Sequence, residues 1–349
     1  MEAVTGFLEA WARQVARACD PAVVRGVFET ASAGSGAARG RDGRRASVIT
    51  PWGLPFEAST TGNGSARGVL RYLTEAGADQ PFFRPRLEAQ REALDRLVHR
   101  LPGDLDHSAV AAELRGLVDA LFPDPSGVPA RTRHALFFGI VHDPAVPTYL
   151  GRLKLYGSLR WRPDVLGTLA ARWPAFAALA GAVEGIAGLV PHMACIEVDA
   201  AGRWRHKLYF VPATADDRPL GALAERTGVD AMQWSETLSS QGVAVRRWDR
   251  THICCEADDG AGCTLAVHMT AKALGLAPGT MSAVARRLAE RHYGDTSALD
   301  ALATAVVEGA PASVGPWHCT VIGFGLDEGG RDGGSSKLNL YVAPTGDSA

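Results

Sequence analysis

Arg152-Leu153-Lys154-Leu155-Tyr156 and Arg205-His206-Lys207-Leu208-Tyr209 spell the same Arg-x-Lys-x-Tyr pattern 53 positions apart. Successive side chains on a β-strand point to opposite faces, so residues two apart share a face. Arg152, Lys154 and Tyr156 therefore stand together with Leu153 and Leu155 behind them, and Arg205, Lys207 and Tyr209 stand together with His206 and Leu208 behind them. Lys337, Asn339 and Tyr341 repeat the pattern more weakly, opposite Leu338 and Leu340. The polar face of an alternating strand is ordinarily its solvent face, so what covers the leucines decides where these cations and phenols point.

Each of these stretches is the second strand of a pair. Working outward, alternation marks strand pairs at 47–59 and 68–75, 134–142 and 149–157, 193–199 and 203–211, 245–256 and 263–270, and 317–325 and 336–343. Helical spacing of apolar residues fills the intervals at 86–101 and 109–122, 163–189, 219–227 and 230–241, and 278–293 and 296–308. The period is roughly 60 residues, too long for a small solenoid, and pairs joined by short turns imply antiparallel pairing rather than βαβ units. Ten such strands expose two edges unless they close into a barrel. The expected fold is thus α+β: a ten-stranded antiparallel β-barrel with a central chamber, surrounded by helices, built from five αββα-type repeats. One domain over 1–349 is expected, with N-terminal helices and a Gly-rich loop over 1–45 and the repeats over 46–345. With helices outside, the leucine faces pack beneath them and the Arg/Lys/Tyr faces line the chamber.

Composition narrows the function. Among 349 residues, 36 basic side chains against 38 acidic ones provide no global polyanion-binding field, so no nucleic-acid partner is expected. The six cysteines, at 19, 195, 254, 255, 263 and 319, form neither a CxxC pair nor a disulfide frame, which suits a cytoplasmic protein without structural zinc. No apolar run is long enough to cross a bilayer, and MEAVTGFLEAWARQVARACD lacks the basic and apolar regions of a signal peptide. The Gly/Arg-rich loop at 32–45 is not a phosphate-binding P-loop, because no Gly-Lys-Ser/Thr follows it.

Cations gathered in a closed chamber are costly unless an anion neutralises them. Arg, Lys and phenol donors together suit a diphosphate, and tyrosine rings can shield a cation formed beneath it. Arg71, in Leu70-Arg71-Tyr72, adds a phosphate contact, and Glu57, in Pro55-Phe56-Glu57-Ala58-Ser59, is a candidate general base. The acidic pairs Asp216-Asp217 and Asp258-Asp259 fall in expected turns without the aspartate spacing that holds Mg²⁺. Histidines 134, 142, 192, 206, 252, 268 and 318 lack metal-ligand spacing, although His268 and His318 lie on expected strands. No metal site is expected.

The repeats, and the order of these short motifs along them, resemble the αββα-barrel (ABBA) aromatic prenyltransferases, specifically the indole group typified by dimethylallyltryptophan synthase. The resemblance implies the PT-barrel fold and catalysis without a metal or other cofactor. It implies that Glu57 accepts the indole N–H proton, that Arg71, Lys154, Arg205, Lys207 and Lys337 bind diphosphate, and that Tyr156, Tyr209 and Tyr341 shield the allyl cation. Lys154 is a second candidate base, and Arg152, His268, Thr264 and Asn339 are further candidates for the chamber wall. Two strands depart from the family pattern. Cys263–Thr270 lacks the usual Lys- or Gln-x-Tyr pair, so Thr264 or His268 must substitute, and Thr320, Ile322 and Phe324 stand where the family carries aromatics on the first closing strand.

The function expected is transfer of a dimethylallyl group, or a longer one, from its diphosphate to an indole acceptor such as L-tryptophan, in secondary metabolism such as alkaloid biosynthesis. Transfer to another aromatic (a tyrosine, a cyclic dipeptide, a tricyclic ring), cyclisation of a longer prenyl diphosphate, and a non-catalytic anion-binding barrel are the alternatives. The expected partners are small molecules, with the chain acting as a monomer or homodimer and not on a membrane.

Overall fold

A computed structural model describes residues 2–15, 19–35, 46–61, 69–133, 135–162, 164–229, 232–258, 263–293, 296–309, 316–326 and 338–345. Ten strands close into one antiparallel barrel: β1 (Phe56–Thr61), β2 (Leu70–Thr74), β3 (Leu136–His142), β4 (Arg152–Ser158), β5 (Leu189–Asp199), β6 (Trp204–Pro212), β7 (Thr251–Asp258), β8 (Thr264–Thr270), β9 (Trp317–Leu326) and β10 (Leu338–Pro344). Each strand pairs with its neighbours in sequence, and β1 pairs with β10 through Ala58 opposite Val342 and Ser59 opposite Tyr341. That last ladder leaves neither edge unpaired.

The helices coat the outside. α1 (Glu2–Val15) and α2 (Pro21–Ala31) precede the barrel, α3 (Phe83–Val98) and α4 (His107–Leu121) follow β2, and α5 (Val165–Arg172) and α6 (Pro174–Val183) follow β4. Then come α7 (Arg218–Thr227), α8 (Met232–Ser239), α9 (Ala271–Leu274), α10 (Pro278–Leu288) and α11 (Ser297–Gly309). α3 shows why they dock: Phe83, Leu87, Gln90, Leu94, Leu97 and Val98 are buried at helical spacing, forming a single face. α4 starts where the Asp106 carboxylate accepts from the Ser108 and Ala109 amides. α1 and α11 cross at Gly6 and Gly309, where a Cβ on Gly6 would lie 2.6 Å from the Gly309 carbonyl oxygen. Their approach carries Phe7 onto Trp317 and Phe56, at 4.1 and 6.1 Å between ring centroids, over the outer ends of β9 and β1.

Leu153, Leu155, Leu208 and Leu340 are fully buried in this outer core, and His206 packs edge-on against Phe176 at 5.0 Å. The Arg/Lys/Tyr faces accordingly point inward. Several expected boundaries move. Residues 47–55, expected as strand, are bends and turns around Pro51, Gly53 and Pro55, whose backbone geometry cannot sustain a ladder. β7 begins at Thr251 rather than 245, after a 3₁₀ turn over Trp248–Arg250. β5 begins at Leu189, where helix was expected, and the last turn of the helix expected over 278–293 is a π-helix, Ala289–Tyr293. Asp258 ends a strand rather than sitting in a turn, and Asp259 lies outside the described residues.

A buried polar network anchors the bend before β1. Arg86, 1% exposed, bonds Glu75 at 3.3 Å and donates to the carbonyls of Ala46, Ala78 and Gln80 at 2.9, 2.6 and 3.0 Å. Gln90 donates to the Leu136 carbonyl and accepts from its amide, tying α3 to β3. Burial pushes the Glu75 carboxyl up to about 7, against the lowering pull of Arg86. This fastening matters because Ser47–Pro51 form part of the chamber wall.

Candidate active site

The barrel encloses a cavity of about 610 Å³. Glu57, Arg71, Lys154, Tyr156, Tyr209, His268 and Tyr341 line it, so seven of the side chains singled out from the sequence meet around one space. Four of their rings run in succession around the wall: Tyr156 to Tyr209 at 5.9 Å, Tyr209 to His268 at 6.2 Å, and His268 to Tyr341 at 5.7 Å between centroids. Burial raises the phenols of Tyr156 and Tyr209 well above the usual range and that of Tyr341 to about 12. All three remain neutral donors near neutral pH.

Two glycines permit this packing. A Cβ on Gly139 would lie 2.9 Å from Tyr156 Cε2 and 3.0 Å from Lys154 Cβ, while one on Gly323 would lie 2.8 Å from His268 Nδ1. Larger residues at either point would push the wall inward.

Glu57 is 5% exposed and accepts a hydrogen bond from the Thr320 hydroxyl, which also reaches the Tyr341 carbonyl at 3.1 Å. Burial pushes its carboxyl up to about 7, against the lowering effect of Thr320. A β-bulge between Tyr341 and Val342 makes this contact possible: Tyr341 faces Val321 and Val342 faces Cys319, so Thr320 has no ladder partner. Thr320 and Val321 consequently both line the cavity. Ile322 and Phe324, expected to share the chamber face with Thr320, are instead fully buried in the outer core. His318 lies 6.4 Å from Trp52 between ring centroids and does not line the cavity.

Beyond the ring belt, toward the hairpin end of the barrel, the cations converge on a residue that sequence reading passed over. Glu197, 1% exposed, lies 2.9 Å from Arg152, 3.0 Å from Lys154, 3.2 Å from Lys207 and 3.7 Å from Arg205. A second carboxylate, Glu256, accepts from Lys207 at 2.6 Å and lies 3.7 Å from Arg205. Burial alone would raise Glu197, but Lys154, Lys207 and Arg152 hold it well below the usual carboxylate range. Burial lowers Lys154 despite Glu197, whereas for Lys207 the two glutamates overcome burial and raise it well above its ordinary value. Arg152, Arg205 and Lys207 thus form an ion-paired layer behind Lys154 and do not themselves line the cavity, contrary to the expectation that they face the chamber. Arg71 differs: among the described residues it makes no ion pair, its Nε is buried without a hydrogen-bond partner, and Asn339 Oδ1 lies 3.5 Å from Nη2. Thr264 is exposed at the hairpin end and lies away from the cavity, and Lys337 lies outside the described residues.

Sequence reading also missed the opposite end. Arg133, Arg160, Arg250 and Lys272 line it beside Asp249. His192 and His252 stack there at 4.9 Å with planes 21° apart, and Arg160 donates to His192 Nδ1 at 3.4 Å. Burial and the Arg160 charge push His252 down to about 4. Most of these residues come from connections between elements, so no periodic spacing announces them.

Among the described residues, no group of three or more His, Cys, Asp or Glu is placed to hold a metal ion, and no helix is long and apolar enough to cross a membrane. All six cysteines are free thiols.

A closed ten-strand antiparallel barrel with helices outside and a chamber within is the fold of the αββα-barrel prenyltransferases. Among solved structures the chain is similar to 6-dimethylallyl tryptophan synthase, with TM-score 0.70 and 18% identity over 98% of this chain and 95% of that one. It is similar to PriB bound to product diphosphate, with TM-score 0.65 and 18% identity over 98% and 95% of the two chains. It is also similar to AnaPT from Neosartorya fischeri, with TM-score 0.65 and 13% identity over 97% and 92%. No family model and no curated protein matches the sequence. At these identities the likeness is one of fold, and the chemistry rests on the chamber.

Proposed function

We propose that this protein is a prenyltransferase that moves a dimethylallyl group from its diphosphate to an indole acceptor such as L-tryptophan. The observation that carries this reading is the joint placement, around one cavity, of the near-neutral carboxyl Glu57, the cations Arg71 and Lys154, and a belt of aromatic rings. A structure described as 6-dimethylallyltryptophan synthase from Micromonospora olivasterospora in complex with DMASPP and Trp, with TM-score 0.69 and 17% identity over 98% of this chain and 96% of that one, supports the substrate pair.

In this reading the allylic C–O bond breaks and its electron pair leaves with the diphosphate. Arg71 and Lys154 receive the charge from the cavity side, with Lys207, Arg205 and Arg152 behind them and Lys337 as a further contact. The π faces of Tyr156, Tyr209 and Tyr341 shield the allyl cation from water. The indole π system forms the new C–C bond, and the proton on the attacked carbon then departs to restore aromaticity. That proton passes to Glu57, which also accepts the hydrogen bond from the indole N–H, or in the alternative to Lys154 in the neutral form that burial favours by lowering its pKa. The cationic rim of Arg160, Arg250 and Lys272 suits an acceptor carrying a carboxylate, which favours an amino acid. Charge neutralisation by side chains makes added metal unnecessary.

The test is to incubate the protein in EDTA with dimethylallyl or geranyl diphosphate and L-tryptophan, tyrosine or a cyclic dipeptide, following product mass and diphosphate release. Prenylated tryptophan formed in EDTA is the expected result. Release without an acceptor would indicate cyclisation, and binding without release would overturn the catalytic reading.

A further inference from the structure

The two carboxylates in the cation layer are not equivalent. Glu197 is 1% exposed and is ringed by four cations, so its departure would leave buried charges unpaired. Glu256 has a side chain 26% exposed, sits beside exposed Thr264 at the hairpin end, and reaches only Lys207 closely. Rotation of Glu256 into water gives up the close contact with Lys207 and the 3.7 Å approach to Arg205 but strands neither, because Glu197 stays 3.2 Å from Lys207 and 3.7 Å from Arg205. Lys207 and Lys154 flank the same oxygen, Glu197 Oε2, and Lys154 lines the cavity. An anion that touches Lys154 from the cavity therefore comes within reach of the ammonium that Glu256 now occupies.

We propose that Glu256 is an internal counter-ion that competes with the diphosphate for Lys207. This rests on the reading of the cluster as a diphosphate site. The carboxylate keeps Lys207 charged and positioned between turnovers, yields it to the incoming diphosphate, and reclaims it as the product diphosphate leaves. Affinity for the product is lowered in consequence, which speeds its release. No covalent step is involved, and the lysine remains protonated throughout.

Calorimetric titration of inorganic diphosphate, without divalent metal, into the wild type, Glu256→Gln, Glu256→Asp, Lys207→Met and the Glu256→Gln/Lys207→Met double variant tests the proposal. Removing the competitor tightens binding about tenfold in Glu256→Gln, the worth of one charge-assisted hydrogen bond. Glu256→Asp keeps the charge but is one methylene too short to hold Lys207, so it also binds more tightly; it serves as the second variant if Glu256→Gln fails to fold. In the Lys207→Met background the Gln substitution changes affinity by less than about twofold, because the two residues act as a pair. Wild-type binding with no tightening in either Glu256 variant would overturn the proposal, as would an equal gain without Lys207, which would reveal a general field effect. If neither the wild type nor any variant binds diphosphate, the diphosphate reading of the cluster itself falls, and the counter-ion role with it.

Discussion

Glu57 carries the chemistry of the proposed reaction because of where the chain buries it. Withdrawn from water, its carboxyl shifts up to about 7, so it is part protonated at neutral pH and only the charged fraction accepts a proton. The rate at saturating substrate should therefore rise with pH through about 7 and level above it, and Glu57→Gln should abolish that limb while lowering turnover about 100-fold or more. The check is the pH–rate profile of both proteins alongside circular dichroism showing an unchanged fold. A Glu57→Gln enzyme with a wild-type profile would remove Glu57 from the base role. The inward-facing cations were legible because Arg-x-Lys-x-Tyr needs only the two-residue alternation of a strand. Their partners were not: Glu197 lies on β5 and meets Lys154 on β4 and Lys207 on β6, so its role depends on register between hairpins as well as within them.

At the scale of elements, the hairpins set the site and two local devices adjust it. The bulge on the β9–β10 pair turns Thr320 toward Glu57 while sending Ile322 and Phe324 to the outer core. Strict alternation predicts the same face for all three, and a single extra residue reverses that parity beyond it. The other device is glycine within strands. Gly139 on β3 lies directly opposite Lys154, and any side chain there collides with Lys154 and Tyr156. Gly139→Val should displace both, cost roughly 1–3 kcal/mol of stability through overpacking, and depress prenyl transfer more than it depresses folding. Denaturant unfolding together with the transfer assay measures the two effects; an unchanged transfer rate would show that Tyr156 and Lys154 need not hold this arrangement. Strand existence and order were readable from alternation, whereas the starts of β1 and β7 were not, because apolar residues beside Pro51, Pro55 and Trp248 look like strand until backbone geometry and ladder partners are counted.

For the whole molecule, closure is the decisive event. β10 completes the barrel by pairing with β1 across nearly the full length of the chain, a contact of high sequence separation that costs loop entropy to form. Deleting residues 338–349 should expose the edges of β1 and β9 and open the chamber to water, so that the truncated chain aggregates more than the full one. Soluble fraction and light scattering of the truncated and full chains test this, and a soluble truncated monomer would show that closure is not what suppresses association. By itself, the sequence determined the strand pairs, their order, the helical coat and, where no bulge intervenes, which side chains share a face, because periods of 2 and 3.6 residues are local properties of the backbone. Only the tertiary structure decided which cations open onto the cavity, which carboxylates hold the others, and that Glu57 sits beside Thr320 with a near-neutral pKa. Those outcomes depend on burial and on distances between residues far apart in the chain, where Coulomb attraction and desolvation nearly balance and the geometry settles the sign.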